Sequence, residues 1–157
     1  TTVPLEGFDG PRNLSTAIYN LMNGTHRSQF HKTKADETVH FHHGNTNLRI
    51  HTINEDHTLT TVELGPHDGN LVFQHHIPRD HWFVAETKDK AEESFVLSGY
   101  TVSPGFDFKD FTNANRDELI TNFPELTEII TQFTPEPKPA ATEEEKKDDH
   151  LFSLTGP

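Results

Sequence analysis

Cysteine is absent from the 157 residues, which excludes disulfides, cysteine nucleophiles and thiolate metal centres. Basic charge is scarce: thirteen Lys and Arg stand against twenty-five Asp and Glu, a formal net charge of −12. That balance is the reverse of the positive footprint needed to bind DNA or RNA, or to dock on anionic lipid. No apolar run approaches the roughly 18–20 residues that cross a bilayer. No signal-like leader is read at the start of the sequence, and Thr1 in place of an initiator Met is compatible with a processed or trimmed start. With no cysteine to protect, a cytoplasmic setting is the expectation. The sequons Asn13-Leu-Ser15 and Asn23-Gly-Thr25 matter only in a secreted chain and are read as chance matches. Hydrophobic residues are few, at 31%, but twelve Phe each bury a large area, so a single-domain core is within reach.

What is present is a series of short alternating segments. "STAIYNLM" (15–22) reads as a buried strand, Asn23-Gly24 as a tight hairpin turn, and "SQFH" (28–31) as the returning strand. "ETVHFHHG", "TNLRIHTI", "HTLTTVELG", "NLVFQHHIP", "HWFVAET" and "ESFVLSGYTVSPG" continue the series, each bounded by turn residues. Strands at this spacing predict an all-β antiparallel sandwich or barrel. Near residue 113 the period changes. "NANRDELITNF" offers Asn113 or Asn115 as a cap, and "PELTEIITQF" starts with Pro124 at a first helical position, predicting two short helices over about 113–133. The organisation expected is an irregular lead-in at 1–11 and one domain at 12–134, with its barrel at about 12–112. A flexible acidic tail is expected at 135–157, where six acids meet three bases among alternating prolines.

The stretch "FHKTKADETVHFHHG" (30–44) concentrates four histidines and two adjacent acids. It stands between "STAIY" (15–19) and "IPRDHWFVAE" (77–86), with "LSGYTVSPGFDFKDF" (97–111) further on. In that order these motifs resemble a small cupin family, a domain of unknown function whose members resemble a yeast cupin. The V-S-P-G-F-D-F-x-D-F block is the most specific part, and the likeness covers about residues 12–134. It implies a double-stranded β-helix, the jelly-roll barrel of the cupins, followed by C-terminal helices and assembled as a homodimer.

Metal-binding cupins supply two His and one Glu from a first motif, H-x-H, three or four residues, E, six residues, G. A third His comes from P-x-G-x-x-H. Here the first motif reads His31-Lys-Thr33, then Glu37, then Gly44, and the second reads Pro78-Arg-Asp80-His-Trp-Phe83. Thr33 and Phe83 stand where ligands would be, so His31 and Glu37 are an incomplete set for Zn, Ni or Fe, and no cofactor is assigned. Strand alternation from an inward Glu37 carries Val39, Phe41 and His43 to one side and His40 and His42 to the other; the family often has His at the position of His40.

An organic ligand in the barrel mouth suits these residues better. His31 beside Glu37 would form an acid–base pair, the carboxylate holding the imidazole and raising its pKa, with Tyr19 as acid. Phe30, Thr33, His40, Phe41, Arg79 and Trp82 are the further candidates for contacting the ligand. Among the four arginines of the barrel (Arg12, Arg27, Arg49 and Arg79), Arg79 is the first choice for clamping a phosphate. Asp107 and Asp110 read as turn and capping residues. By resemblance the chemistry is that of cupin sugar-nucleotide epimerases, which move a proton next to a carbonyl on a sugar or nucleotide-linked sugar. The alternatives are a metal-dependent cupin (an oxygenase or lyase) using His31 and Glu37 with other histidines, and a non-catalytic ligand-binding module.

Overall fold

The computed structural model describes residues 1–69 and 72–136. Strands β1 (Thr2–Val3), β2 (Arg12–Asn13), β3 (Thr16–Asn23), β4 (His31–Thr33), β5 (Asp36–Gly44) and β6 (Leu48–Ile53) come first. They are followed by β7 (Leu59–Leu64), β8 (Gln74–Ile77), β9 (Trp82–Thr87), β10 (Phe95–Ser103) and β11 (Phe111–Asn113), then by helices α1 (Arg116–Asn122) and α2 (Thr127–Gln132). The sheet order is β3-β10-β5-β8 in one layer and β11-β4-β9-β6-β7 in the other, with β1 paired to β2. Every strand pairing is antiparallel. Two such sheets facing each other form the jelly-roll barrel. From Pro137 onward the expected tail lies outside the described residues.

Alternation explains where the core sits. Met22, Val39, Leu48, Ile50, Phe83, Ala85 and Val96 point between the sheets and are buried there. The opposite faces of β6 and β9 present Ile53 and Val84 to a second core with Phe30, Leu119, Ile130 and Phe133, under the helices. Both faces of β9 are therefore covered, which is why "WFVA" reads as a continuous apolar run. Each such side chain contributes about 1.5–3 kcal/mol on burial, and this docks two helices too short to hold on their own.

Local chemistry sets the ends. Asn115 caps α1, its Oδ1 accepting from Glu118 N–H at 3.1 Å. Pro124 opens a 3-10 turn at Pro124–Leu126, and α2 starts only at Thr127. The hairpin expected at Asn23-Gly24 does not form. β3 pairs with β10, and the chain crosses to the other sheet, because Gly24 is held by its N–H on the Ser94 carbonyl (2.7 Å). A Cβ at Gly24 would sit 1.9 Å from the Ala91 carbonyl oxygen, so only glycine allows this approach.

The lead-in belongs to the fold. Arg12 is buried and reaches 98 residues along the chain to Asp110, Nε donating to Oδ2 at 2.6 Å and Nη2 to Oδ1 at 3.0 Å. Its Nη1 donates to the carbonyl of Asp9 at 2.8 Å. Asp107 caps the turn as expected, accepting from Lys109 N–H at 2.9 Å, and Asp110 closes that turn, its N–H on the Asp107 carbonyl at 2.9 Å, while its carboxylate pairs with Arg12. The pair pins the Phe106–Phe111 segment against the barrel.

Candidate functional site

Between the sheets lies an open cavity of about 690 Å³. Edge strand β3 supplies Thr16, Ile18, Asn20 and Met22, and β10 supplies Tyr100 and Val102. The F-D-F-K-D-F run supplies Phe106, Phe108 and Phe111. His31 from β4 and Glu37 from β5 both line it, as do Ser28 and His26.

His31 sits at the junction of three strands, opposite Phe83 of β9 and Asn113 of β11. Its ring lies beside Phe83 (centroids 4.2 Å apart) and Phe111 (5.1 Å). Nδ1 is 2.7 Å from the Gln29 carbonyl oxygen. A carbonyl can only accept, so Nδ1 carries the hydrogen and Nε2 keeps its lone pair, with no partner among the described residues. Burial lowers the pKa of His31 from 6.5, against the opposing pull of the Gln29 bond. The result is a neutral imidazole with an unoccupied acceptor.

Glu37 is 6% exposed, between Val102 and Ile77 in register. Thr33 Oγ1 lies 3.0 Å from Glu37 Oε1 and 2.8 Å from the Ala35 carbonyl oxygen. The Thr33 hydroxyl donates to both, its hydrogen shared between the two acceptors. Burial pushes the Glu37 carboxyl above 4.5, and the Thr33 bond, which favours the carboxylate, offsets this only in part. Burial, and then the charge of Glu37, raises the phenol of Tyr100 above 10 against hydrogen bonds with Ser98 and Asn20, so it stays a hydroxyl.

Several expected positions change. His31 and Glu37 share the cavity, but neither a hydrogen bond nor an ion pair joins them among the described residues. The imidazole is shifted down rather than up because desolvation and two phenyl rings, not a carboxylate, surround it. Tyr19 is 78% exposed, on the outer face of β3 against His42 (centroids 5.4 Å). The tyrosine in the cavity is Tyr100, which alternation with Val102 opposite Glu37 could have revealed. Phe30 is core beneath α2, 6.2 Å from Phe133, and Phe41 packs on the main core beside Phe73. Thr33 hydrogen-bonds Glu37.

His40 faces outward, 3.2 Å from Thr101 Oγ1. His42 is skipped in the pairing of β5 with β10, and this bulge leaves His43 exposed rather than inward. Arg79 and Trp82 line a separate, smaller hollow of about 260 Å³, where Lys32 Nζ lies 4.9 Å from the Trp82 ring centroid.

The donor set does not fit a metal. No group of three or more His, Cys, Asp or Glu suited to holding an ion occurs among the described residues. Phe83 occupies the flank of His31 where another ligand would be needed, and Thr33 takes up Glu37 Oε1.

A two-sheet barrel with a hollow, His- and Glu-bearing mouth is cupin architecture, and comparison with known proteins agrees. The chain belongs to the cupin superfamily, in the family described as DUF985, whose model matches residues 1–114. It is similar to a solved protein from Shewanella oneidensis (29% identity, TM-score 0.74, covering 85% of this chain and 83% of that one). A hypothetical protein from Leishmania major matches at 26% identity and TM-score 0.75, covering 87% and 84%. A dTDP sugar isomerase from Desulfovibrio desulfuricans aligns at 12% identity and TM-score 0.54 over 74% and 81%, a likeness of fold alone. No curated protein sequence matches the chain. Among the described residues, no helix is long and apolar enough to cross a membrane.

Proposed function

We propose that the cavity binds a small metabolite such as a sugar derivative and that His31 moves a proton on it, as an isomerase or epimerase does. The observation that carries this is the tautomer of His31: Nδ1–H is tied to Gln29, and Nε2 is a free base in an apolar cavity. In the step, the C–H bond next to a carbonyl breaks and its proton goes to Nε2. The electron pair moves to the carbonyl oxygen, where the Tyr100 hydroxyl supports the enolate, and return of the proton gives the isomer with no net redox change.

The test is incubation with candidate sugar derivatives in heavy water, read by mass spectrometry. Deuterium should enter the substrate with the native protein and not with His31→Asn. Exchange that survives His31→Asn overturns the assignment, and a ligand that binds without exchange makes the protein a binding module.

Assembly is part of the proposal. Tyr19 (78% exposed) and Leu21 (68%) share the outer face of edge strand β3, whose far side has no strand partner among the described residues. Such an edge needs covering, and a second copy would do so. Sedimentation should show a dimer at micromolar concentration that Leu21→Glu dissociates. Monomer alone in the native protein would contradict it.

A further inference from the structure

The charges around the cavity define what it accepts. None of its described lining residues is Lys or Arg. The arginines of the barrel are committed elsewhere. Arg12 is held by Asp110, Arg27 lies over Phe133, Arg49 pairs with Glu63, and Arg79 is in the smaller hollow. The rings of exposed His26 and of His31 are the cavity's basic groups, and the Nδ1 of His31 is already used. A phosphate or carboxylate entering here would lose water without a cationic partner and would lie near Glu37, an arrangement that costs several kcal/mol for a buried charge.

Among the polar groups that line the cavity, Ser28 spends its hydroxyl hydrogen on the Ala85 carbonyl, and His31 and Glu37 offer acceptors. His31 Nε2 has a free lone pair. Glu37 Oε1 is engaged with Thr33, and Oε2, with no partner among the described residues, remains to accept. Tyr100 adds a hydroxyl, while the Met22, Val102, Phe106, Phe108 and Phe111 side chains form an apolar wall.

We infer that the cavity takes a small molecule without negative charge that donates a hydroxyl or N–H to His31 Nε2 and Glu37 Oε2, and not a nucleotide-linked sugar or other anion. The inference rests on the cavity being the ligand site proposed above and narrows the class of ligand. A hydroxycarbonyl compound fits both demands, because its carbonyl oxygen meets Tyr100 and its hydroxyl meets the acceptors.

Met22 is the only methionine, is buried and lines the cavity, so a 13C-methyl-methionine label gives a single NMR reporter. The probes are benzamide, benzoate and methyl benzoate, alike in scaffold but neutral with a donor, anionic, and neutral without a donor. At millimolar concentration and neutral pH, benzamide should shift the Met22 methyl with an affinity at least tenfold above that of benzoate, and above that of methyl benzoate. Benzoate binding as tightly as benzamide would overturn the ligand class while leaving the cavity as a binding site. Methyl benzoate equalling benzamide would overturn the donor requirement. No shift with any probe would overturn the inference and the binding site together, a result distinct from the heavy-water test, which can fail with the cavity still binding.

Discussion

Replacing Glu37 with Gln removes one titrating proton from the cavity while keeping shape and hydrogen-bonding capacity, and its effect on stability follows from linkage. In the unfolded chain the carboxyl titrates at its ordinary 4.5; in the fold, burial raises it, with Thr33 opposing. Below 4.5 both states carry the proton, so the native protein and Glu37→Gln differ by a constant. As pH rises above 4.5 the unfolded chain releases the proton and the fold retains it. The native protein then loses stability relative to Glu37→Gln, by up to about 1.4 kcal/mol per pH unit, until the folded pKa is passed and the difference levels off. His31 shifts the opposite way and is common to both proteins, so it cancels in the difference. Urea unfolding from about pH 4 to about pH 8, followed by the fluorescence of the single Trp82, reads it directly. Thr33→Val should destabilise by about 1 kcal/mol, because it strips the carboxyl of its partner. A difference between native and Glu37→Gln that is flat across this range would mean that the carboxyl is solvated, and the reasoning about the cavity would fail with it.

Asp110→Asn should lower the melting temperature by roughly 10 °C, because it leaves the Arg12 guanidinium buried without its counter-charge. Scanning calorimetry should show the double change Arg12→Met with Asp110→Leu recovering most of that loss. Burial works against ionisation of Glu63, but hydrogen bonds from Lys88, Arg49 and Asn47 prevail and hold its carboxyl at about 2. Its contribution is present above 4.5 and is lost as pH falls toward 2, so unfolding near pH 3 should be less acid-sensitive in Glu63→Gln than in the native protein. Asn115→Ala should cost about 1 kcal/mol in urea by uncapping α1.

The barrel was legible in the sequence because a period of two leaves its mark wherever one face is buried: Leu48 and Ile50 pointed inward as the pattern required. The helices were legible through their caps and stripes. What local pattern could not supply were events between distant segments. The Arg12–Asp110 pair spans 98 residues, and nothing beside Arg12 announces it. Phe30 neighbours His31 yet serves the core beneath α2, because that core exists only after the helices fold back. Tyr19 and Tyr100 look alike as candidate acids, and only the pairing of β10 with β5 places Tyr100 across from Val39, two residues from Glu37. His43 failed alternation at a bulge. His31 and Glu37 were readable as cavity residues from their motif, but their protonation depended on Gln29 and Thr33, whose roles appear only in three dimensions.

The most direct measurement is the 15N NMR spectrum of the His31 ring at neutral pH, assigned by the signal that disappears in His31→Asn. Nδ1 should appear protonated and Nε2 bare, and this state should persist on acidification below the usual histidine midpoint. An imidazolium at neutral pH, or a hydrogen on Nε2, would contradict a free base in this cavity.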